Sequence, residues 1–226
     1  MEGARDKFRQ SGGITKGSLF ILSARRMQLL TGHFGVVLEF DAATMCRTRE
    51  IIVEAKLSTA AYVVFRPHMT FYHAPFRALP LDAVNSTLMC IAEQLTHSVR
   101  LTALAPYNGG FVFWDAERSA ELDAAHATAL RLGKYVDTAE IRSHEPAPGA
   151  YSEAELANLR RWGYPLVGGL FRPHITIAKF ADSAPAKLPV VGTYVASAER
   201  VTFAEMGTYG QITRVITVES IWNDPQ

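Results

Sequence analysis

The stretch Arg66-Pro67-His68-Met69-Thr70-Phe71 decides how this chain is read, because it returns as Arg172-Pro173-His174-Ile175-Thr176-Ile177. Arg, Pro, His and Thr are identical, and the fourth and sixth positions are apolar in both copies. Each half of the chain holds one copy, and a repeated unit of this kind means a repeated structure. β-Branched and aromatic residues surround both. Ala61-Tyr62-Val63-Val64-Phe65 lead into the first, and Ala178-Lys179-Phe180 continue the second, so both read as strands. Residues i and i+2 of a strand share a face. His68 and Thr70 therefore point one way while Met69 and Phe71 point the other, and His174 and Thr176 oppose Ile175 and Ile177 in the same manner. Pro67 and Pro173 cannot donate to a ladder, so each marks a strand start or an unpaired position.

An imidazole and a hydroxyl on one face are what phosphate chemistry asks for. Two such strands meeting in one cleft give a general base for a water or hydroxyl nucleophile and a general acid for the leaving oxygen. Histidine suits both tasks because its unperturbed pKa is about 6.5. The threonine hydroxyls would hold non-bridging phosphate oxygens. No metal and no cofactor is needed. A single His-x-Thr in a strand is more often structural than catalytic. Two copies in one Arg-Pro-His-x-Thr context, one per half, are hard to explain by packing alone.

The paired His-x-Thr-x motifs resemble those of the 2H phosphoesterase superfamily, which includes RNA cyclic phosphodiesterases and RNA ligase-like phosphoesterases. The resemblance runs from about Gly32 to Trp222, and it implies that His68, Thr70, His174 and Thr176 occupy the catalytic positions. Ala74-Pro75-Phe76-Arg77 and Arg161-Trp162-Gly163-Tyr164-Pro165 look like a branch associated with phosphonate-metabolism gene clusters, with one extra residue between His68 and Ala74.

Outward from the motifs, the chain reads as α+β: a bilobal, pseudo-two-fold arrangement of two antiparallel sheets around a central cleft, helices outside. Residues 1–31 read as a basic N-terminal extension and 32–226 as one bilobal domain. Gly32 to Asp41 alternates like a strand. Thr44 reads as the cap of a helix to about Leu57, with Met45, Ile52 and Ala55 on one face. Leu81, Val84, Leu88, Ile91 and Leu95 recur at helical spacing. Leu101 to Ala105 and Phe111 to Trp114 read as strands joined by Asn108-Gly109-Gly110, and Glu117 to Leu132 as a helix. Residues 133–150 read as loop. Ser152 and Glu155 form a capping-box pattern before a short helix. Val190 to Ala196, Arg200 to Met206 and Ile212 to Trp222 read as closing strands.

Composition narrows the partners. The chain has 226 residues, 48% hydrophobic and 20% charged, with net charge +1. That is ordinary for a globular protein and far from a polyanion binder. The expected partner is a small phosphorylated substrate, a nucleotide or an RNA end, bound by a monomer. No apolar run approaches the ~18–20 residues of a membrane span, and no secretory core is evident, so the cytoplasm is the expected location. Cys46 and Cys90 fall in apparent helices and read as buried reduced thiols.

Secondary candidates follow from position. Arg66 and Arg172 lie two residues before their histidines and could touch phosphate, or simply sit as cations at a strand entrance. His73 is five residues after His68, an odd offset that faces it away unless Ala74-Pro75 bends the strand. Tyr164 is the best of the stacking candidates, ahead of Tyr72, Phe171 and Tyr209. Arg77 and Lys179 are further cations, and His144 could reach the cleft mouth. His33, His97 and His126 read as surface or capping residues. Two functions stand open: a metal-independent cyclic phosphodiesterase, or a non-catalytic phosphate- or RNA-binding module of the same fold. Transfer to an acceptor other than water is a further variant, and no Gly-x-x-x-x-Gly-Lys-Ser/Thr loop supports nucleoside triphosphate use.

Overall fold

The computed structural model describes residues 28–64, 66–143 and 149–221. Most of the expected N-terminal extension, His144 and Trp222 lie outside them. The described elements are β1 (Leu29–Phe40), α1 (Ala42–Glu54), β2 (Tyr62–Val63), β3 (His68–Pro80), α2 (Leu81–Gln94), β4 (Ser98–Tyr107), β5 (Phe111–Ala116), α3 (Ala120–Ala129), α4 (Thr138–Ser143), α5 (Glu153–Trp162), β6 (His174–Lys179), β7 (Tyr194–Met206) and β8 (Ile212–Ser220). The fold is α+β, as expected, and its strands are antiparallel throughout the described pairings.

The strands run β1-β3-β6-β5-β4-β7-β8, and β7 also pairs with β1. The path therefore returns on itself, with β8 and β2 attached outside the ring. One side of the ring is β3-β1-β7, extended by β8, and the other is β6-β5-β4. They join at two places. The first is a single pair between the motif strands, Met69 opposite Ile175. The second is β7, whose beginning pairs with β4 through Tyr194–Ser197 and whose remainder pairs with β1 and β8. The expected break between Val190–Ala196 and Arg200–Met206 is absent, because Ser197-Ala198-Glu199 contains no residue that interrupts a ladder.

A pseudo-two-fold relates the halves residue by residue. Glu39, Leu38 and Val37 of β1 face His68, Met69 and Thr70 of β3. Asp115, Trp114 and Phe113 of β5 face His174, Ile175 and Thr176 of β6. In both ladders the register then slips by one residue, leaving Phe71 and Ile177 extra on the motif strands. Each motif strand thus carries a β-bulge directly after its threonine, which bends the strand and reverses the alternation beyond it. The apolar motif positions anchor this geometry: Met69, Phe71, Ile175 and Ile177 are fully buried, worth roughly 1.5–3 kcal/mol each.

Helices cover the sheet where the sequence has apolar stripes. α2 buries Val84, Thr87, Leu88, Ile91 and Ala92. Asp41, not Thr44, caps α1, accepting from the Thr44 amide at 2.8 Å. The buried side of α1 is Thr44, Thr48 and Ile51, with Met45, Ile52 and Ala55 at its margin. α3 is shorter than expected because Ser119 caps it and Leu130–Tyr135 tighten into a 3₁₀ turn. Residues 138–143 form α4 where loop was expected, with Asp137 accepting from the Ala139 and Glu140 amides. The capping box is present: Ser152 and Glu155 bond reciprocally at the start of α5. Both cysteines are free, but Cys46 is exposed and Cys90 only partly buried, since the inward side of α1 is the Thr44 side. Among the described residues no helix is long and apolar enough to cross a membrane.

Candidate active site

The pairing of Met69 with Ile175 builds the site. One step out in either direction, antiparallel register sets His68 across from Thr176 and Thr70 across from His174. Directly opposed residues share a face, so all four motif side chains stand on one side while Met69 and Ile175 enter the core. A cleft of about 200 Å³ opens on that side, lined by Thr70, His174 and Thr176 among others. His68 belongs to the same face but lies just behind the lining, because the turn between β7 and β8 covers it. Thr208, Tyr209 and Gly210 of that turn line the cleft, and the Gly210 carbonyl stands 2.9 Å from His68 Nε2.

Each histidine is fixed by the carbonyl of its own motif arginine. His68 Nδ1 lies 2.9 Å from the Arg66 oxygen and His174 Nδ1 2.7 Å from the Arg172 oxygen, so each Nδ1–H donates. Both imidazoles are buried. Burial lowers the pKa of His68 and the Arg66 charge adds to the fall, against the upward pull of the Arg66 and Gly210 carbonyls and the Glu39 charge. Burial takes His174 down to about 3. There only the Arg172 carbonyl pulls upward, while the charges of Arg172, His68 and His73 add to the fall. Phe113 stacks on the His174 ring, centroids 3.6 Å apart.

The motif arginines do not line the cleft. Arg172 makes a two-pronged ion pair with Asp115, 2.8 Å from Nε and 2.7 Å from Nη2. Arg66 Nε bonds Glu39, which also accepts from Thr202 and lies 3.4 Å from Arg200. Burial alone would raise the Glu39 carboxyl; the bonds from Thr202, Arg66 and Arg200 outweigh it and hold it below the ordinary carboxylate value. Glu39 and Asp115 carry no signal in the sequence. They stand directly across from His68 and His174, and only the strand pairing brings them there.

His73 and Tyr164 do line the cleft. The bulge at Phe71 supplies the parity change that the offset from His68 lacked. His73 rests against Tyr164, ring centroids 4.3 Å apart. Loss of water around the ring lowers His73 to about 4, and repulsion from His33 and His68 adds to it. Burial raises Tyr164, so its hydroxyl stays protonated. The stretches Ala74-Pro75 and Trp162-Gly163-Tyr164 prove to be one contact: a methyl on Gly163 would meet Pro75 Cδ at 2.9 Å and the Ala74 Cβ at 3.1 Å. Tyr107, Phe111, Phe113 and Tyr151 add an aromatic wall. Tyr72 and Phe171 are core, and Arg77 is exposed. Lys179 lies over the Phe111 and Tyr209 rings, its amine bonding the Phe180 carbonyl.

His126 is not a surface residue. Its Nδ1–H donates to the Phe71 carbonyl at 2.6 Å, its Nε2 accepts from the Gly168 amide at 2.9 Å, and it stacks on Phe171 at 4.1 Å. Among the described residues no group of three or more His, Cys, Asp or Glu is placed to hold a metal ion.

The architecture is similar to that of solved structures. TT0787 of Thermus thermophilus matches with a TM-score of 0.52 at 16% identity, over 84% of this chain and 97% of that one. E. coli LigT complexed with phosphate matches with a TM-score of 0.50 at 11% identity, over 85% and 99%. No protein-family model matches the chain, and no curated protein matches its sequence. What is shared with them is the α+β fold.

Proposed function

We propose that this chain is a metal-independent phosphodiesterase that opens a cyclic phosphate, 2′,3′-cyclic or a similar small diester, by two-histidine acid–base catalysis. The observation that carries this is the register of β3 on β6, which puts His68, Thr70, His174 and Thr176 on one face beside one cleft. One imidazole removes a proton from water as its oxygen attacks phosphorus, and the other protonates the departing ester oxygen. The Thr70 and Thr176 hydroxyls donate to the non-bridging oxygens, where charge grows as the bond breaks. Phosphoryl transfer needs little more than such positioning. The phosphate bound by the LigT structure of like fold agrees with a phosphate-sized site here.

One observation favours a second reading. His68 Nε2 is already engaged by the Gly210 carbonyl, as it would be in a phosphate- or RNA-binding module that transfers no proton. Turnover on a panel of nucleoside and ribose cyclic phosphates, with EDTA present, separates the two. Activity that survives EDTA and disappears in His68→Ala and in His174→Ala establishes the phosphodiesterase. Binding of panel members without turnover of any establishes the module.

A further inference from the structure

The two motif histidines have the same neighbours in sequence and different ones in space. Both ring nitrogens of His68 face carbonyl oxygens at 2.9 Å, Arg66 on one side and Gly210 on the other. A carbonyl only accepts, so both bonds exist together only when both nitrogens carry hydrogen, that is, in the imidazolium. His174 donates from Nδ1 to Arg172, and its Nε2 has no hydrogen-bond partner among the described residues. In the neutral ring, with Nδ1 carrying the hydrogen, that nitrogen holds the lone pair.

The carboxylates opposite the histidines differ in the same sense. Asp115 is saturated by the two-pronged grip of Arg172. Glu39 is shared among Arg66, Thr202 and the more distant Arg200. Its side chain is 3% exposed, whereas the Arg66 and Arg200 side chains are each 40% exposed. Water screens the two guanidiniums far more than it screens the buried carboxylate. Among the described residues, the charged and titratable groups around His68 are Glu39 from β1, Arg66 at the entrance of β3, His73 further along β3, His174 from β6, Tyr209 beside Gly210 in the β7–β8 turn and, beyond Glu39, Arg200 from β7. Glu39 is the one carboxylate in that set.

We infer that Glu39 is a positioning residue that holds His68 as the proton donor of the pair and leaves His174 as the proton acceptor. The inference rests on the phosphodiesterase reading. Glu39 acts in two ways: it anchors the Arg66 side chain, which steadies the carbonyl that receives His68 Nδ1–H, and its charge stabilises the imidazolium. In the reaction His174 Nε2 takes a proton from water as the water oxygen bonds to phosphorus. The ester P–O bond breaks with its electron pair left on the departing oxygen, which takes the proton from His68 Nε2. The departing oxygen replaces the Gly210 carbonyl as partner of that N–H. One proton has entered at His174 and one has left His68, and exchange with solvent restores the pair.

The test is the pH dependence of kcat/KM on a nucleoside 2′,3′-cyclic phosphate. The alkaline limb of the bell reports the group that must be protonated. Glu39→Gln moves that limb to lower pH by about one unit, a tenfold loss on the alkaline side, and leaves the acid limb in place. Asp115→Asn leaves the alkaline limb where it is. A uniform fall in Glu39→Gln with both limbs unmoved overturns the inference. ¹⁵N NMR of the wild-type imidazoles provides a readout independent of turnover and of the variant's folding. His68 is expected to become doubly protonated at a higher pH than His174, and the reverse order overturns the inference. Where no cyclic phosphate is turned over, the phosphodiesterase reading fails by itself and the NMR order still decides which histidine holds the proton.

Discussion

Phe113 lies flat against the His174 imidazole, ring centroids 3.6 Å and planes 19° apart. It faces Thr176 across the β5–β6 ladder, and Tyr107 also stacks on it, centroids 4.7 Å apart. The Tyr107 hydroxyl is held by Glu155 at 2.7 Å. A column of rings anchored in α5 therefore ends on the histidine and sets its plane. Phe113→Leu keeps the apolar bulk and removes the flat support. We expect kcat to fall about tenfold, with stability lowered by about 1 kcal/mol. Steady-state kinetics beside a urea titration check this. A loss of stability with kcat unchanged would show that the column only packs.

Burial of His174 ties stability to pH. Its folded pKa, about 3, lies below the unfolded value near 6.5. Between those values the unfolded chain holds the proton and the folded chain does not, so acid favours unfolding. The contribution is fully present above pH ~6.5 and is lost as pH falls toward 3. His73, lowered to about 4, acts with the same sign. Each such group steepens the loss by up to about 1.4 kcal/mol per pH unit. Urea midpoints from pH 7 to pH 5 should fall, and fall less steeply in His174→Gln. Equal slopes in the two proteins would refute the linkage.

The cleft wall carries no Lys, Arg, Asp or Glu among the described residues. Arg172 is spent on Asp115 behind the rings of Tyr107 and Phe113, and Lys179 lies over Phe111 and Tyr209. The single charge of a diester can be met by the threonines and a protonated imidazole. A second phosphate brought into the cleft would lose its water without gaining a partner, at several kcal/mol. A nucleoside 2′,3′-cyclic phosphate is thus expected to exceed its 5′-phosphorylated form in kcat/KM by tenfold or more. Equal or faster turnover of the phosphorylated form would contradict this.

What the sequence made legible is what local pattern encodes. The motif strands, the α2 stripe, the Ser152–Glu155 capping box and the α+β class were all open to reading, because each depends on spacing along the chain. Glu39 and Asp115 were not, because they belong to the neighbouring strands and no motif spacing marks them. The bulges at Phe71 and Ile177 were hidden for a related reason: a one-residue slip is a property of two strands together, and it alone returns His73 to the cleft. His126 did leave a signal. It falls with Leu122, Ala125 and Ala129 on the buried side of α3, where a histidine must find partners for both nitrogens. Arg66 and Arg172 share the histidine face, as alternation requires, but the opposed carboxylates take them up before phosphate can.

Gly163 joins the second lobe's approach to the first motif strand. It ends α5 in the left-handed conformation, φ 74°, which costs a residue with a Cβ about 1–2 kcal/mol. The same Cβ would sit 2.9 Å from Pro75 Cδ, so Pro75 or the α5 terminus must give way. Since Ala74-Pro75 follow His73, and Tyr164 follows Gly163, the displacement separates two rings that line the cleft. Gly163→Ala is expected to lower stability by about 3 kcal/mol and to raise KM several-fold, while Gly149→Ala, where a Cβ meets nothing within 4 Å, pays only the left-handed penalty and keeps KM. The two variants share the backbone strain and differ in the contact, so equal KM values would show that the Gly163–Pro75 approach does not shape the cleft.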